Sequence, residues 1–334
     1  MIISRTPLRI SFAGGGSDLA AYYRSEPGAV VSTAIDKYIY IAVNQKFDGQ
    51  IRASYAITEI VDTPEQLRHE LIRESLGLTG LQGGLEITSI SDIPSQGTGL
   101  GSSSTYTVGL LNALHAYQGR HAAAERLARE SCAIEIERLG KPIGKQDQYI
   151  AAYGGLQYIQ FNPDESVFVD PIICGYETRQ RLHDRLLMFY TGLTRSADNI
   201  LGEQQDNITH DRTRRRGLRE MTEMARELRD ILCRDSTHLD LFGEILHRGW
   251  ELKRSLASGI SNERIDEWYT RARAHGAIGG KILGAGGGGF LLLFAPPSCH
   301  AAITAALREL RPIPFSFEQQ GSKIVYVEEG RGTR

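Results

Sequence analysis

Residues 97–104 read Gly-Thr-Gly-Leu-Gly-Ser-Ser-Ser, three spaced glycines followed by three serines. Glycines let a backbone approach an oxyanion closely, the N–H groups at a helix start attract it, and a serine hydroxyl can ligate Mg²⁺. Flexible linkers share this composition, so the flanks have to decide. Upstream, LEITSISD alternates like a strand. Downstream, TYTVGLLNALHAYQG places Val108, Leu111, Leu114 and Tyr117 at three-residue steps, the pattern of an amphipathic helix. Strand, glycine turn and helix N-terminus together make an anion site, and a linker would not run straight into such a helix. A capped helix after a tight turn is the plainer account, but it leaves three glycines unexplained. The Walker pattern G-x-x-x-x-G-K-[ST] does not occur.

Two further glycine clusters and a few acids complete the candidate chemistry. In RISFAGGGSDLAAYY, Gly14, Gly15 and Gly16 lead to Ser17 and Asp18. Asp18 either complements a short helix or hydrogen-bonds substrate hydroxyls at the mouth of a strand. In GKILGAGGGGFLLLF, Gly284, Gly286 and Gly289 formally satisfy G-x-G-x-x-G. A dinucleotide fingerprint must open a helix, whereas this one opens the strand FLLLF, so it reads as a loop approaching a bound nucleotide or the first glycine loop. Asp147, in GKQDQYIAAYGG, is by itself an ordinary helix-start acid. Glu135 and Glu137 are two apart on a helix, roughly 200° around its axis, so only one of them can face a site.

Positioning these groups requires strands and helices in an α+β arrangement, because strand patterns cluster instead of alternating strictly with helices. AVVSTAI and KYIYIAVNQK read as two strands, and PEQLRHELIRESLG as a helix from Pro64 to a stop at Gly77. HAAAERLARESCAIEIERLG reads as a second helix ending at Gly140. Near residue 180 the pattern changes, which suggests two domains, 1–180 and 181–334, with three long helices between about Asp198 and Ala274. Across 334 residues the chain is 41% hydrophobic and 23% charged, with a formal charge of −2, which argues against a nucleic-acid footprint. The arginine-dense DRTRRRGLRE, without interleaved aromatics, reads as a solvated helix face. Four scattered cysteines suit a reducing cytoplasm, the N-terminus does not read as a secretory signal, and FLLLFAPP is too short to span a bilayer. The expected partners are therefore small molecules, with no nucleic acid and no membrane; a homo-oligomer stays open.

Order and spacing make these pieces specific. RTPLRISFAGGGSD resembles the N-terminal substrate motif of the GHMP kinases. IPSQGTGLGSSSTYTVGLL resembles their P-x-x-x-G-L-G-S-S-A motif, starting at Pro94 and departing at Ser104, where alanine is usual. GKILGAGGGGFLLLF resembles their C-terminal glycine motif, so the likeness spans nearly the whole chain. It implies a ribosomal protein S5 domain 2-like N-terminal domain and a ferredoxin-like C-terminal domain, with ATP and Mg²⁺ between them. It also implies that Gly97, Gly99, Leu100, Gly101, Ser102, Ser103 and Ser104 wrap the ATP phosphates, with Ser103 and Glu137 as magnesium ligands. Asp147 matches the catalytic aspartate. Arg9 falls where mevalonate kinase has a lysine near the transferred phosphate, a departure that leaves its position firmer than its role.

Within the superfamily the opening motif most resembles heptose 7-phosphate kinases and, less closely, fucokinase domains; the G-E-H of galactokinase is missing. YTGLTRSADNIL points the same way. The implied reaction is phosphorylation of the anomeric hydroxyl of D-glycero-D-manno-heptose 7-phosphate. An L-fucose-type kinase and a non-catalytic sugar-binding regulator are the alternatives. Gly15, Gly16, Ser17, Asp18, Gly286 and Gly287 are then expected at the substrate. Arg195 with Ser196 is the first candidate for its existing phosphate and Lys145 the second, although an exposed loop charge explains Arg195 as well.

Overall fold

The computed structural model describes residues 1–328 apart from 95, 96, 98, 195, 196 and 235–237. The expected contacts of Arg195 and Ser196 therefore lie outside the described residues. Seven strands come first: β1 (Ile2–Ala13), β2 (Gly28–Gln45), β3 (Ile51–Ser54), β4 (Thr58–Val61), β5 (Leu85–Ser91), β6 (Leu156–Phe161) and β7 (Val167–Pro171). Then come β8 (Leu186–Tyr190), β9 (Gly279–Ile282), β10 (Phe290–Phe294) and β11 (Arg311–Pro312), and finally β12 (Lys323–Val327). The first seven and β12 form one sheet in the order β12-β1-β2-β5-β3-β4, with β6 and β7 branching from β2.

The branch exists because β2 is one 18-residue strand instead of the two read from the sequence. Against β1 its register jumps from Tyr38 opposite Pro7 to Ile35 opposite Leu8, leaving Asp36 and Lys37 as a bulge. Pro7 has no N–H to contribute to a ladder, and a bulge bends the strand, so the two halves of β2 pair different partners. The first half pairs β6 and the second half β5.

The helix Ser102–Tyr117 lies on β1 and β2. It is buried continuously from Ser104 to His115, so it is a core helix with apolar contacts all round and not the one-faced helix expected. Pro64 starts only a single 3₁₀ turn; the helix proper is Glu70–Thr79, and left-handed Gly80, not Gly77, ends it.

Strands β8 to β11 form a separate antiparallel sheet in the order β11-β8-β10-β9. With helices between β8 and β9 and between β10 and β11, this is the β-α-β-β-α-β order of a ferredoxin-like unit. Among the described residues four α-helices, not three, lie in the first connection: Ala197–His210, Arg212–Leu232, Leu239–Arg254 and Glu263–Ala274. The arginine-dense segment starts the second of them, where Arg215 and Arg219 pair with Glu26.

The second sheet begins with β8 at Leu186, but the end of the chain does not stay with it. After β11 the backbone returns to the first sheet, Phe317 bridging Ile35 and β12 pairing β1. The two units also share a core contact, Phe12 of β1 edge-to-face with Phe242 at 5.1 Å. Such a pair adds about 0.5–1.5 kcal/mol beyond the area it buries. Among the described residues no helix is long and apolar enough to cross a membrane.

Candidate active site

The glycine–serine stretch folds as a tight cradle against the second unit. Gly97, Gly99 and Gly101 all have positive φ, and Gly101 is the N-cap of the 16-residue helix that starts at Ser102. A Cβ on Gly99 would lie 2.3 Å from the carbonyl oxygen of Leu283, and one on Gly284 would lie 2.4 Å from Gly99 Cα. Two glycine loops from different units therefore meet backbone to backbone, with no room for any side chain. A Gly284→Ala variant is expected to lose at least about tenfold in kcat/KM, because a left-handed alanine pressed on the cradle displaces it. Steady-state kinetics beside a thermal melt would check this, and unchanged kcat/KM would refute it.

Arg9 and Asp147 stand at the mouth of this cradle. Arg9, on β1, is only 3% exposed. Its Nε donates to Asp147 Oδ1 and one terminal nitrogen to Oδ2, both at 2.7 Å, while the other donates to the Gly99 carbonyl at 2.6 Å. This bidentate fork fixes the carboxylate of Asp147 in the first turn of helix Gln146–Tyr153 and ties it to the loop. A Cβ on Gly101 would lie 3.2 Å from Asp147 Oδ2 and 3.4 Å from Arg9 Cγ, so the helix start, the acid and the arginine are in contact. The structure thus brings together two residues 138 apart in sequence.

The carboxylate beside Ser103 is Glu135. Ser103 Oγ donates to Glu135 Oε1 at 2.6 Å, and Gln148 Nε2 donates to Oε2 at 2.8 Å. Glu135 is fully buried, and burial raises its carboxyl above the usual range against the lowering effect of hydrogen bonds from Ser103, Gln148 and Ser104. Glu137, expected in this place, is exposed. The choice between the two is made by a π-helical turn, Ala133–Arg138, that follows helix Ala124–Cys132. Widening the helix by one residue per turn changes which side chain faces inward, a change that 3.6-residue periodicity does not anticipate.

Several expected substrate contacts are already committed to the protein. Ser17 Oγ donates to the carbonyl of Ala29 and accepts from its N–H, both at 3.0 Å, so this hydroxyl is a structural link. Asp18 accepts from Gly16 N at 2.9 Å and Gln146 N at 3.2 Å, which ties the first glycine loop to the helix carrying Asp147. Burial raises the Asp18 carboxyl above its ordinary value; the Gly16 hydrogen bond opposes this and the charge of Asp147 adds to it. Lys145 donates to Glu165 at 2.5 Å and sits over the Tyr23 ring, so it is not a free cation for a substrate phosphate. Gly286 and Gly287 pack on Ile260 within the second unit, Gly287 N donating to the Ile260 carbonyl at 2.8 Å. The part of the third glycine motif that touches the cradle is Leu283–Gly284.

Two buried lysines join the site without having been singled out in the sequence. Lys253 Nζ donates to the Gly284 carbonyl at 2.5 Å; burial pulls its ammonium down to about 8, with the Arg9 charge adding to that and Asp18 and Asp147 opposing it. Lys281 Nζ donates to the carbonyls of Ser11 and Phe12, clamping the second unit to β1, and burial lowers it well below the usual lysine range. A lysine among glycines and apolar residues, as in AIGGKILG, was a readable signal. Lys253, at the end of a charged helix, carried none.

The site gathers an anion cradle, a fixed carboxylate and an arginine that touches both, which is the equipment of phosphoryl transfer. The family comparison agrees. GHMP kinases N terminal domain matches residues 66–155 and GHMP kinases C terminal matches residues 213–311, and the chain belongs to the GHMP kinases, with their two-domain α+β fold. It is thus an ATP-dependent phosphotransferase with an alcohol group as acceptor.

Among individual proteins, the chain is 29% identical to D-glycero-alpha-D-manno-heptose 7-phosphate kinase of Campylobacter jejuni, over 96% of this chain and 98% of that one. It is 26% identical to the bifunctional fucokinase/GDP-fucose pyrophosphorylase of Arabidopsis thaliana over 86% of its length, spanning 29% of that longer protein. The crystal structure of a D-glycero-D-manno-heptose 1-phosphate kinase from Bacteroides thetaiotaomicron superposes with a TM-score of 0.81 at 25% identity, covering 98% of this chain and all of that one.

Proposed function

We propose that this protein phosphorylates the anomeric hydroxyl of D-glycero-D-manno-heptose 7-phosphate, giving the 1,7-bisphosphate that leads to nucleotide-activated heptose for surface polysaccharide. The observation that carries the substrate is the end-to-end similarity to the Campylobacter heptose 7-phosphate kinase. The residue-level reading rests on the Arg9–Asp147 fork at the cradle. Residues 97–104 hold the ATP phosphates, where glycine backbone and the helix N-terminus match negative charge. Asp147 orients the acceptor hydroxyl and takes its proton as the hydroxyl oxygen bonds to the γ-phosphorus and ADP departs. Arg9 keeps Asp147 in place and meets the charge on the moving phosphoryl group.

Mg²⁺ fits the donors present: Ser103 and buried Glu135 offer hard oxygens at the helix start, and the desolvated carboxylate gains from a cation. When bound, the ion neutralises charge on the ATP phosphates.

The second reading, an L-fucose-type 1-kinase, is favoured by the similarity to a fucokinase. Purified protein with Mg-ATP and a panel of heptose 7-phosphate, free heptose and L-fucose separates the two by ADP release, and NMR of the product locates the new phosphate. Preference for fucose rejects the heptose reading. Sugar binding without ADP release would favour a regulator.

A further inference from the structure

Between β11 and the closing strand β12, residues 313–322 run as a strap from the second unit back across the first. Its start is still held by the second sheet, Ile313 N donating to the Met188 carbonyl at 2.8 Å. It then docks on the bulge in β2, where Asp36 N donates to the Ser316 carbonyl, Ser316 N to Asp36 Oδ1 and Glu318 N to the Ala34 carbonyl. Finally it crosses the end of the helix that carries Asp147. A Cβ on Gly154 would lie 2.1 Å from the Gln320 carbonyl carbon, and one on Gly321 would lie 2.0 Å from the Ala152 carbonyl oxygen, so the two backbones cross without a spacer. Carbonyls in the last turn of a helix lack intrahelical donors, and here Ser322 N serves that of Ala151 at 2.9 Å.

The hydroxyl of Ser322 ends the strap in a polar knot. It accepts from Asn112 Nδ2 at 2.9 Å and shares a hydrogen bond with the Thr6 hydroxyl at 2.8 Å; Thr6 and Asn112 are both buried. Helix and strand touch directly around it, since a Cβ on Gly109 would lie 2.7 Å from Thr6 Oγ1 and Ser4 Oγ donates to the Gly109 carbonyl at 2.7 Å. One residue thus joins the three elements over which the site is distributed. These are β1 with Arg9, the helix Ser102–Tyr117 with Ser103 and, through the Ser322 N–H, the helix Gln146–Tyr153 with Asp147.

We propose that Ser322 is a positioning residue for phosphoryl transfer, acting through the elements that carry Arg9, Ser103 and Asp147. This rests on the sugar-kinase reading and on Asp147 as the group that takes the proton. At the mouth of the site the Arg9–Asp147 fork joins β1 to the Asp147 helix, and Arg9 N, donating to the Leu100 carbonyl at 3.1 Å, joins β1 to the cradle. One point of attachment between two rods leaves their mutual angle free, and a second fixes it. Thr6 lies about 10 Å along β1 from Arg9, and Ala151 about 6 Å along its helix from Asp147, so the knot is that second point. Hydrophobic packing holds the elements together without fixing a direction, whereas the hydrogen bonds of Ser322 fix one. A shift of about 1 Å at a reacting group can cost about 100-fold in rate, so even a small pivot about the fork is felt in catalysis.

The test uses the full chain with Mg-ATP and whichever panel sugar turns over. Ser322→Ala keeps the backbone N–H on Ala151 and removes the hydroxyl from Thr6 and Asn112; kcat should fall about tenfold while KM for ATP and for the sugar stays within about twofold. Asn112→Leu should lower kcat about three- to tenfold, and the double variant should be no slower than Ser322→Ala alone, because both changes break one knot. Ser322→Thr, which keeps the hydroxyl, should retain at least about a third of wild-type kcat. Asp211→Ala removes the N-cap of the helix Arg212–Leu232 and serves as the stability control, with a melting temperature a few degrees lower and kcat within about twofold. A Ser322→Ala variant that melts lower yet keeps kcat within about twofold behaves like that control and overturns the proposal, leaving the knot a purely structural tie. Asn112→Leu decides on the same readout if Ser322→Ala does not fold. A wild type that phosphorylates no sugar overturns the function itself, and the positioning role with it.

Discussion

An Asp147→Asn variant is expected to lose about 10³-fold in kcat, with KM for ATP changed by no more than a few-fold. The substitution keeps the shape of the side chain and one acceptor oxygen. It removes the charge that accepts or orients the hydroxyl proton, and it breaks the two-pronged ion pair with Arg9. Arg9 is then a buried guanidinium without its counter-charge, held by the Gly99 carbonyl and at most one amide oxygen. Removing one partner of a buried pair costs about 3–5 kcal/mol, but Asp147 is 22% exposed, so the loss of stability should fall below that range. The two effects separate experimentally: a melt reads the ion pair, and ADP release under saturating substrates reads the chemistry. An asparagine variant that kept more than about a tenth of wild-type kcat would show that this carboxylate does not take the proton.

The second large effect is expected at Glu135. A Glu135→Gln variant should need at least about tenfold more Mg²⁺ for half-maximal activity and lose about 10²-fold in kcat, because one anionic oxygen donor beside Ser103 is gone. The metal-free variant should melt at or above the wild-type temperature. An amide keeps acceptor and donor positions near Ser103 and Gln148 yet carries no buried charge to desolvate. Loss of function with retained stability is the signature of a site residue that the fold tolerates at a cost. Glu137→Gln, on the exposed side of the same turn, should stay within about twofold of wild type in every measurement. If the two variants exchanged behaviours, the metal assignment would belong to Glu137.

These two acids also mark the limit of the linear chain as a guide. The glycine cradle was legible because its three glycines precede a helix rich in apolar residues, and that local grammar survives in the structure even though the helix is buried all round. Arg9 and Asp147 were legible through motif order, and the structure places them 2.7 Å apart. Lys145 and Ser17 looked equally suitable, yet Glu165 and the Ala29 backbone had already taken them. A residue type says what a side chain can do, while its partners decide whether it is free to do it.

The sequence by itself therefore determined the α+β class and the positions of the three glycine motifs. Each of these depends on short-range backbone preferences or on residue chemistry that holds wherever the chain goes. Only the tertiary structure decided which glutamate faces Ser103, because a π-turn shifts the helix away from the 3.6-residue phase that a sequence pattern assumes. It alone returned the chain after β11 to the first sheet, since strand partners are set by long-range pairing. It alone brought Lys253 to the glycine loops. Those outcomes depend on what lies across a few ångströms of space from residues distant in the chain, and local sequence carries no record of that.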